Sequence, residues 1–209
     1  TPVQDEGRSS RKRRAILRAA TKAFLKQGYR GTSMDEIATL AGVSKQTVYK
    51  HFADKKRLFS EIVLGTVTEA SDPVHNEVLR LTDSGDIEAD LRDLARRQVA
   101  TVMQPHLLQL RRLVIAEVGR FPELGRTFYE QGPERTIAAL AEAFERLAER
   151  GVLEVDDPFL AAAHFNWLVM SAPMNRAMLL GHDEAPAPAE LDRYVNSAVR
   201  VFLAAYGRR

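Results

Sequence analysis

The 209-residue chain has no cysteine. This excludes disulfides, thiolate metal sites and a cysteine nucleophile. It has no run of about 18 apolar residues, so no helix is expected to span a membrane. Residues 1–14 are polar and charged and lack the apolar stretch of a secretory signal, so the expected location is the cytoplasm. Catalytic signatures are also missing. There is no HExxH pair, no Gly-rich phosphate loop, no nucleophile elbow and no kinase set. The four histidines beyond residue 60 (His75, His106, His164 and His182) stand apart, with no second ligand at metal spacing. Neither a metal, a cofactor nor an enzymatic activity is expected.

What is present is a split of charge. The formal net charge is only +2. Residues 1–60 hold 14 Lys+Arg against 5 Asp+Glu, whereas the rest holds 16 Arg and no Lys against 23 Asp+Glu. A small basic module that meets a polyanion, followed by an acidic body with another task, is the organisation this asymmetry implies.

The apolar pattern is helical throughout. Residues 11–26 place Ile16, Ala20, Ala23 and Phe24 on one face, and Gln27-Gly28 should end that helix. Ser33-Met34-Asp35-Glu36 fits a capping box, with Glu36 returning a bond to the serine. A short helix follows, then a tight turn at Gly42 that calls for positive φ. Ser44 caps a second short helix, from Lys45 to about His51. Asp54 caps a long one from Lys55, which Pro73 should kink or end. Two short helices about a glycine turn, inside a basic unit, form a helix-turn-helix. Val43 and Val48 would lock the second helix against Ala38 and Phe52 would pack inside, leaving Lys45, Gln46, Thr47, Tyr49, Lys50 and His51 outward. Such a helix fits the major groove. Lys45 and Gln46 can pair with purine edges, and Thr47 can offer its methyl to thymine. Tyr49 and Lys50 suit phosphates, as do the helix starts at Ser33 and Lys55.

Residues 14–62 resemble the DNA-binding domain of the TetR family of transcriptional regulators. The resemblance is carried by Ala15-Ile16-Leu17, Phe24, Gly28-Tyr29, Gly31-Thr32-Ser33, Ile37-Ala38, Ala41-Gly42-Val43-Ser44, Thr47-Val48-Tyr49, His51-Phe52, Lys55 and Leu58-Phe59. It implies phosphate contacts from Thr32 and Ser33, and base or backbone readers at Lys45, Gln46 and Thr47. It also implies backbone contacts from Tyr49, Lys50 and His51, and a phosphate anchor at Lys55. Arg11 to Arg14 form a basic arm or a solvated tail, and residues 1–10 are expected to be flexible.

The body also reads as helical, for an all-α chain of about nine helices. The expected division is a flexible arm over 1–10, a helix-turn-helix domain over 11–57, and an effector-binding and dimerisation domain over 58–209. Asp86, Pro105, Pro133, Asp157-Pro158 and Pro188 mark helix starts, and Gly151 an end. Arg111 to Pro133 is similar to the C-terminal domain of an AefR-like subgroup of the same family. Candidate effector-pocket residues are Met103, His106, Leu107, Leu110, Phe128, Phe144, His164, Trp167, Met170 and Met174, each of which core packing also explains. Asn166 and Arg176 would orient a ligand or face solvent. Phe159 to Met174 is apolar almost all round, as a helix buried on several sides would be. With the last helix it forms half of a four-helix bundle, which in TetR-like proteins a second subunit completes. Phe165, Leu168, Leu191, Tyr194, Val195, Ala198, Val201 and Phe202 are the candidate interface. The expected partners are operator DNA, a second copy of the chain and a small apolar or aromatic effector, with no membrane. The expected activity is that of a ligand-responsive repressor. The alternatives are a regulator without effector and a nonspecific DNA-binding protein.

Overall fold

The computed structural model describes residues 2–180 and 187–208, with side chains from residue 7 onward. His182 and Pro186 therefore lie outside the described residues. Among the described residues there are ten α-helices: α1 Pro2–Gly31, α2 Met34–Ala41, α3 Lys45–His51, α4 Lys55–Val78, α5 Ile87–Val102, α6 Pro105–Glu117, α7 Pro122–Tyr129, α8 Arg135–Glu149, α9 Pro158–Leu180 and α10 Pro188–Tyr206. A π-helical turn over Glu130–Glu134 joins α7 to α8, so these segments make nine rods. Among the described residues the one β feature is an isolated bridge between Leu153 and Gly207.

The chain divides into two compact units. The first is formed by residues 1–66 together with 109–128, and the second by 67–108 together with 129–209. The first unit thus takes in more than a single cut after residue 57 would give it.

In the first unit, Ile16, Ala20, Phe24, Ile37, Val48, Phe52, Leu58 and Phe59 are all buried. The Phe24 and Phe59 rings meet at 4.9 Å between centroids, and Tyr29 packs on Phe59 at 5.3 Å and on Phe121 at 5.2 Å. Phe121 comes from the distant 109–128 stretch. Local signals set the ends of the elements. Gly28 leaves helical geometry at φ 75°, ψ 174°, although helix resumes to Gly31. Ser33 Oγ accepts from the Glu36 amide at 3.1 Å. The reciprocal half of the capping box is absent, because the Glu36 carboxylate accepts from the Gln27 side-chain amide instead. Gly42 sits in the left-handed region at φ 65°, ψ 34°, its N–H donating to the Ala38 and Thr39 carbonyls. Ser44 Oγ accepts from the Thr47 amide at 3.2 Å, and Asp54 Oδ1 from the Arg57 amide at 2.8 Å.

In the second unit, Phe144, Phe165 and Phe202 form a closed triad with centroid separations of 5.9, 5.1 and 5.2 Å. Leu91, Leu94, Val99, Leu140, Leu147, Val169, Val195 and Val199 surround it. Asp86 and Asp157 cap α5 and α9 through the Ala89 and Leu160 amides. Gly151 closes α8 at φ 71°.

Of the expected arm over 1–10, residues 2–10 are helical and form the start of α1. Of the two outcomes expected at Pro73, a kink or an end, the second does not occur, because α4 continues to Val78. Proline deletes one backbone donor, and here the carbonyl left over belongs to the exposed Glu69 turn. Pro133 does not open a helix either. It lies within the π turn, two residues before α8 begins at Arg135.

Candidate nucleic-acid interface

The Gly42 turn and the Val48 anchor fix which side of α3 faces out. Ser44, Lys45, Gln46, Tyr49 and Lys50 are exposed, Thr47 and His51 are half-buried, and Val48 is fully buried. Tyr49 keeps 46% of its surface open, so it is not a packing residue. Ser44 Oγ also shares a hydrogen bond with Thr47 Oγ1 at 2.8 Å, which ties down the first turn of α3. Lys45 Nζ donates to both carboxylate oxygens of Asp35 on α2, at 2.8 and 3.0 Å. His51 lies in a basic neighbourhood. Burial first, then Arg13, Lys50 and Lys12, push its pKa below the usual imidazole value. Arg13 itself lies over the Phe52 ring at 5.2 Å and pairs with Glu61.

Two expected phosphate contacts have internal partners. Thr32 is 2% exposed, and its hydroxyl donates to the Gly28 carbonyl at 2.9 Å. The structure therefore removes that hydroxyl from the outward set. Lys55 Nζ donates to the Tyr29 and Thr32 carbonyls, each at 2.8 Å, and lies 4.4 Å from the centre of the Tyr29 ring. Burial and the nearby Arg120 lower its pKa, which Glu117 partly offsets. Lys55 is a brace for the loop between α1 and α2. Ser33 remains exposed at the start of α2.

Asp35 is the member of this surface that sequence reasoning missed, having read it only as part of a cap. Opposite charge on the first turns of two helices joined by a tight turn was the available signal. The 109–128 stretch was missed as well. Arg120 lies over Phe121 at 4.9 Å, Lys56 pairs with Glu123 at 2.5 Å, and the Glu117 carboxylate is buried.

Of the ten candidate pocket residues, Leu110 and Phe128 belong to the first unit, and the other eight to the second. Phe144 is wholly buried in the aromatic triad, a filled core and not a cavity wall. Met170, Met174, Leu107 and Leu110 are buried, while Met103, Trp167 and Phe128 are partly so. His106 and His164 are exposed, and His164 Nδ1 is hydrogen-bonded to the Tyr206 hydroxyl at 2.6 Å. A cleft of about 260 Å³ lies instead against α4 and α5, lined by Val74, Glu77, Arg97 and Thr101 among others. Asn166 neither faces solvent nor meets this cleft. Its Oδ1 accepts from Gln98 Nε2 at 2.6 Å inside the core. Arg176 pairs with Glu190 at 3.0 Å.

The candidate interface divides similarly. Phe165, Val195, Ala198 and Phe202 are buried within the protomer and are not free to meet a partner. The apolar pattern had merged the inner and outer faces of α9 and α10. Leu168, Leu191 and Tyr194 are half-buried, with the Tyr194 hydroxyl donating to the Leu168 carbonyl at 2.7 Å. Val201 is 52% exposed, and Phe159 and Leu160 are about equally open.

An all-helical chain whose basic end presents a short helix behind a left-handed glycine turn is a helix-turn-helix DNA-binding protein. Family comparison agrees. Residues 16–62 match the profile of bacterial regulatory proteins of the tetR family, and residues 89–208 match that of the C-terminal domain of AefR-like transcriptional repressors. The chain belongs to the TetR family of transcriptional regulators and is not an enzyme. It is similar to the crystal structure of a TetR-family regulator from Mesorhizobium loti, with 48% identity, 96% of this chain and 98% of that one covered, and a TM-score of 0.90. It is also similar to the flavonoid-responsive regulator FrrA, with 34% identity, 96% and 99% covered, and a TM-score of 0.76. Among curated proteins, YhgD of Bacillus subtilis is 49% identical over 51 residues, which is 24% of this chain and 27% of that protein. That likeness spans about a quarter of either protein. Among the described residues no helix is long and apolar enough to cross a membrane.

Proposed function

We propose that the protein is a cytoplasmic, homodimeric repressor that leaves a palindromic operator when a small aromatic effector binds its body. The observation that carries the DNA reading is the outward row Ser44, Lys45, Gln46, Tyr49 and Lys50 on a helix locked by the buried Val48. In this reading Lys45, Gln46 and Thr47 read base edges, while Ser33, Tyr49, Lys50 and His51 hold phosphates. One such helix reads few base pairs, so two of them about 34–36 Å apart are required for an operator. The exposed faces of α9 and α10, with Leu160, Trp167, Leu168, Tyr194 and Val201, supply the apolar surface for pairing two copies.

Repression is supported by the AefR-like match over the body, and an aromatic effector by the near full-length likeness to FrrA. An effector that favours a non-binding arrangement lowers operator affinity by its differential affinity for the two states. A coupling of about 1–3 kcal/mol corresponds to a roughly 5- to 150-fold loss. The test is anisotropy with duplex DNA flanking the gene, with and without the flavonoid naringenin. The expected result is salt-sensitive, sequence-selective binding that the flavonoid weakens. Equal binding to random DNA overturns the operator reading. Selective binding unmoved by the flavonoid overturns the effector reading.

A further inference from the structure

Lys45 is the first residue of α3, and Asp35 is the second residue of α2. The glycine turn brings the two together, so that one ammonium faces both oxygens of one carboxylate. Both side chains stay open to solvent, at 59% and 64% exposure. This pair is therefore weak enough for a groove edge to compete with it. The hydrogen bond to Asp35 raises the Lys45 pKa, which keeps the ammonium charged.

A carboxylate on a surface that meets a polyanion opposes binding to every sequence alike. A free lysine at that place does the reverse. Its flexible stem and point charge would take the nearest phosphate on any duplex. Pairing the two cancels the indiscriminate part of both. What remains favourable is a site that offers Lys45 better acceptors than Asp35 does, such as guanine O6 and N7 in the major groove.

We propose that Asp35 is a positioning residue for sequence discrimination: it holds the Lys45 ammonium at the start of the recognition helix, keeps it from anchoring phosphates, and reserves it for a base edge. The proposal rests on the reading of α3 as the groove helix.

The test uses the full chain in anisotropy titrations over a salt series, on two duplexes. One is the sequence that the wild-type protein enriches from a randomised pool, and the other is a scrambled duplex of the same length. Asp35→Asn frees Lys45 for a phosphate. Binding to the scrambled duplex should tighten roughly 3-fold or more, and its log K against log salt slope should steepen by about 0.9. The preference for the enriched duplex should shrink accordingly, and Asp35→Glu should restore it. In a Lys45→Ala background, Asp35→Asn should leave the slope unchanged. Lys45→Ala alone should weaken the enriched duplex while sparing the slope on the scrambled one, a result that does not depend on the folding of any Asp35 variant.

An unchanged slope in Asp35→Asn overturns the proposal. So does the same steepening without Lys45, because Asp35 would then act through its own charge alone. A wild-type protein that does not distinguish the two duplexes overturns the reading of α3 itself, whatever the variants do.

Discussion

Lys55 and Lys50 are both lysines on the DNA-binding unit, yet their removal should have opposite consequences. Lys55 Nζ donates to the Tyr29 and Thr32 carbonyls at 2.8 Å each and lies 4.4 Å from the Tyr29 ring centre. Lys55→Met keeps the length of the stem but removes the charge and both donors. A hydrogen bond from a charged group contributes about 1.5–3 kcal/mol, and a cation–π contact about 0.5–1 kcal/mol. The site is only half-buried, so water will recover part of each carbonyl's loss. The net cost should be about 2–3 kcal/mol, which lowers the melting temperature of a chain of this size by roughly 4–12 °C. Lys50 is exposed at the end of α3. Its replacement by alanine should leave the melting temperature within about 2 °C, since surface changes usually fall within 0.5 kcal/mol. Anisotropy over a salt series then separates the two roles. Lys50→Ala should flatten the slope of log K against log salt by about 0.9, as loss of one phosphate contact requires, and Lys55→Met should not. The brace reading fails if Lys55→Met melts like the wild type and flattens the slope.

Other expectations follow from single contacts. Gly42→Ala should destabilise by about 1–2 kcal/mol through backbone strain alone, since an added Cβ meets nothing within 4 Å; thermal melting measures it, and Gly42→Asn should recover part of the loss. Asn166→Leu leaves the Gln98 amide without a protein partner in the core and should cost about 1–3 kcal/mol in urea unfolding, whereas the double change Gln98→Leu with Asn166→Leu should be neutral or stabilising. His51 has a lowered pKa in the free fold, first through burial and then through Arg13, so its stability contribution is present above the unfolded value of about 6.5 and is lost as pH falls from there through the lower folded value. DNA phosphate favours the charged ring, so binding should tighten as pH falls through the bound-state pKa, and His51→Gln should abolish that component.

The elements whose ends depend on neighbouring residues were readable from the sequence. Ser33, Ser44, Asp54, Asp86 and Asp157 cap the helices they were expected to cap, and Gly42 and Gly151 take positive φ. What failed depended on distant partners. Lys55 has the residue type and place of a phosphate anchor, but the carbonyls it serves lie more than twenty residues earlier. Thr32 looked outward until Gly28 broke the helix and offered it a carbonyl. On α9 the apolar residues run all round, so periodicity had no polar face against which to tell Phe165, deep in the core, from Leu160, which is exposed. Pro73 was read as a kink or an end because a missing donor is a local fact, whereas tolerance of it depends on where the orphaned carbonyl faces.

The contribution of residues 109–128 to the first unit carries a consequence for how the protein is made. Tyr29 packs on Phe121, and Lys56 pairs with Glu123. On the ribosome, the N-terminal helices emerge long before these partners do. They cannot reach their final packing until translation has passed residue 128, with the intervening α4 and α5 already outside. A fragment ending near residue 66 lacks this support and exposes one face of Tyr29, so it should melt below the intact chain.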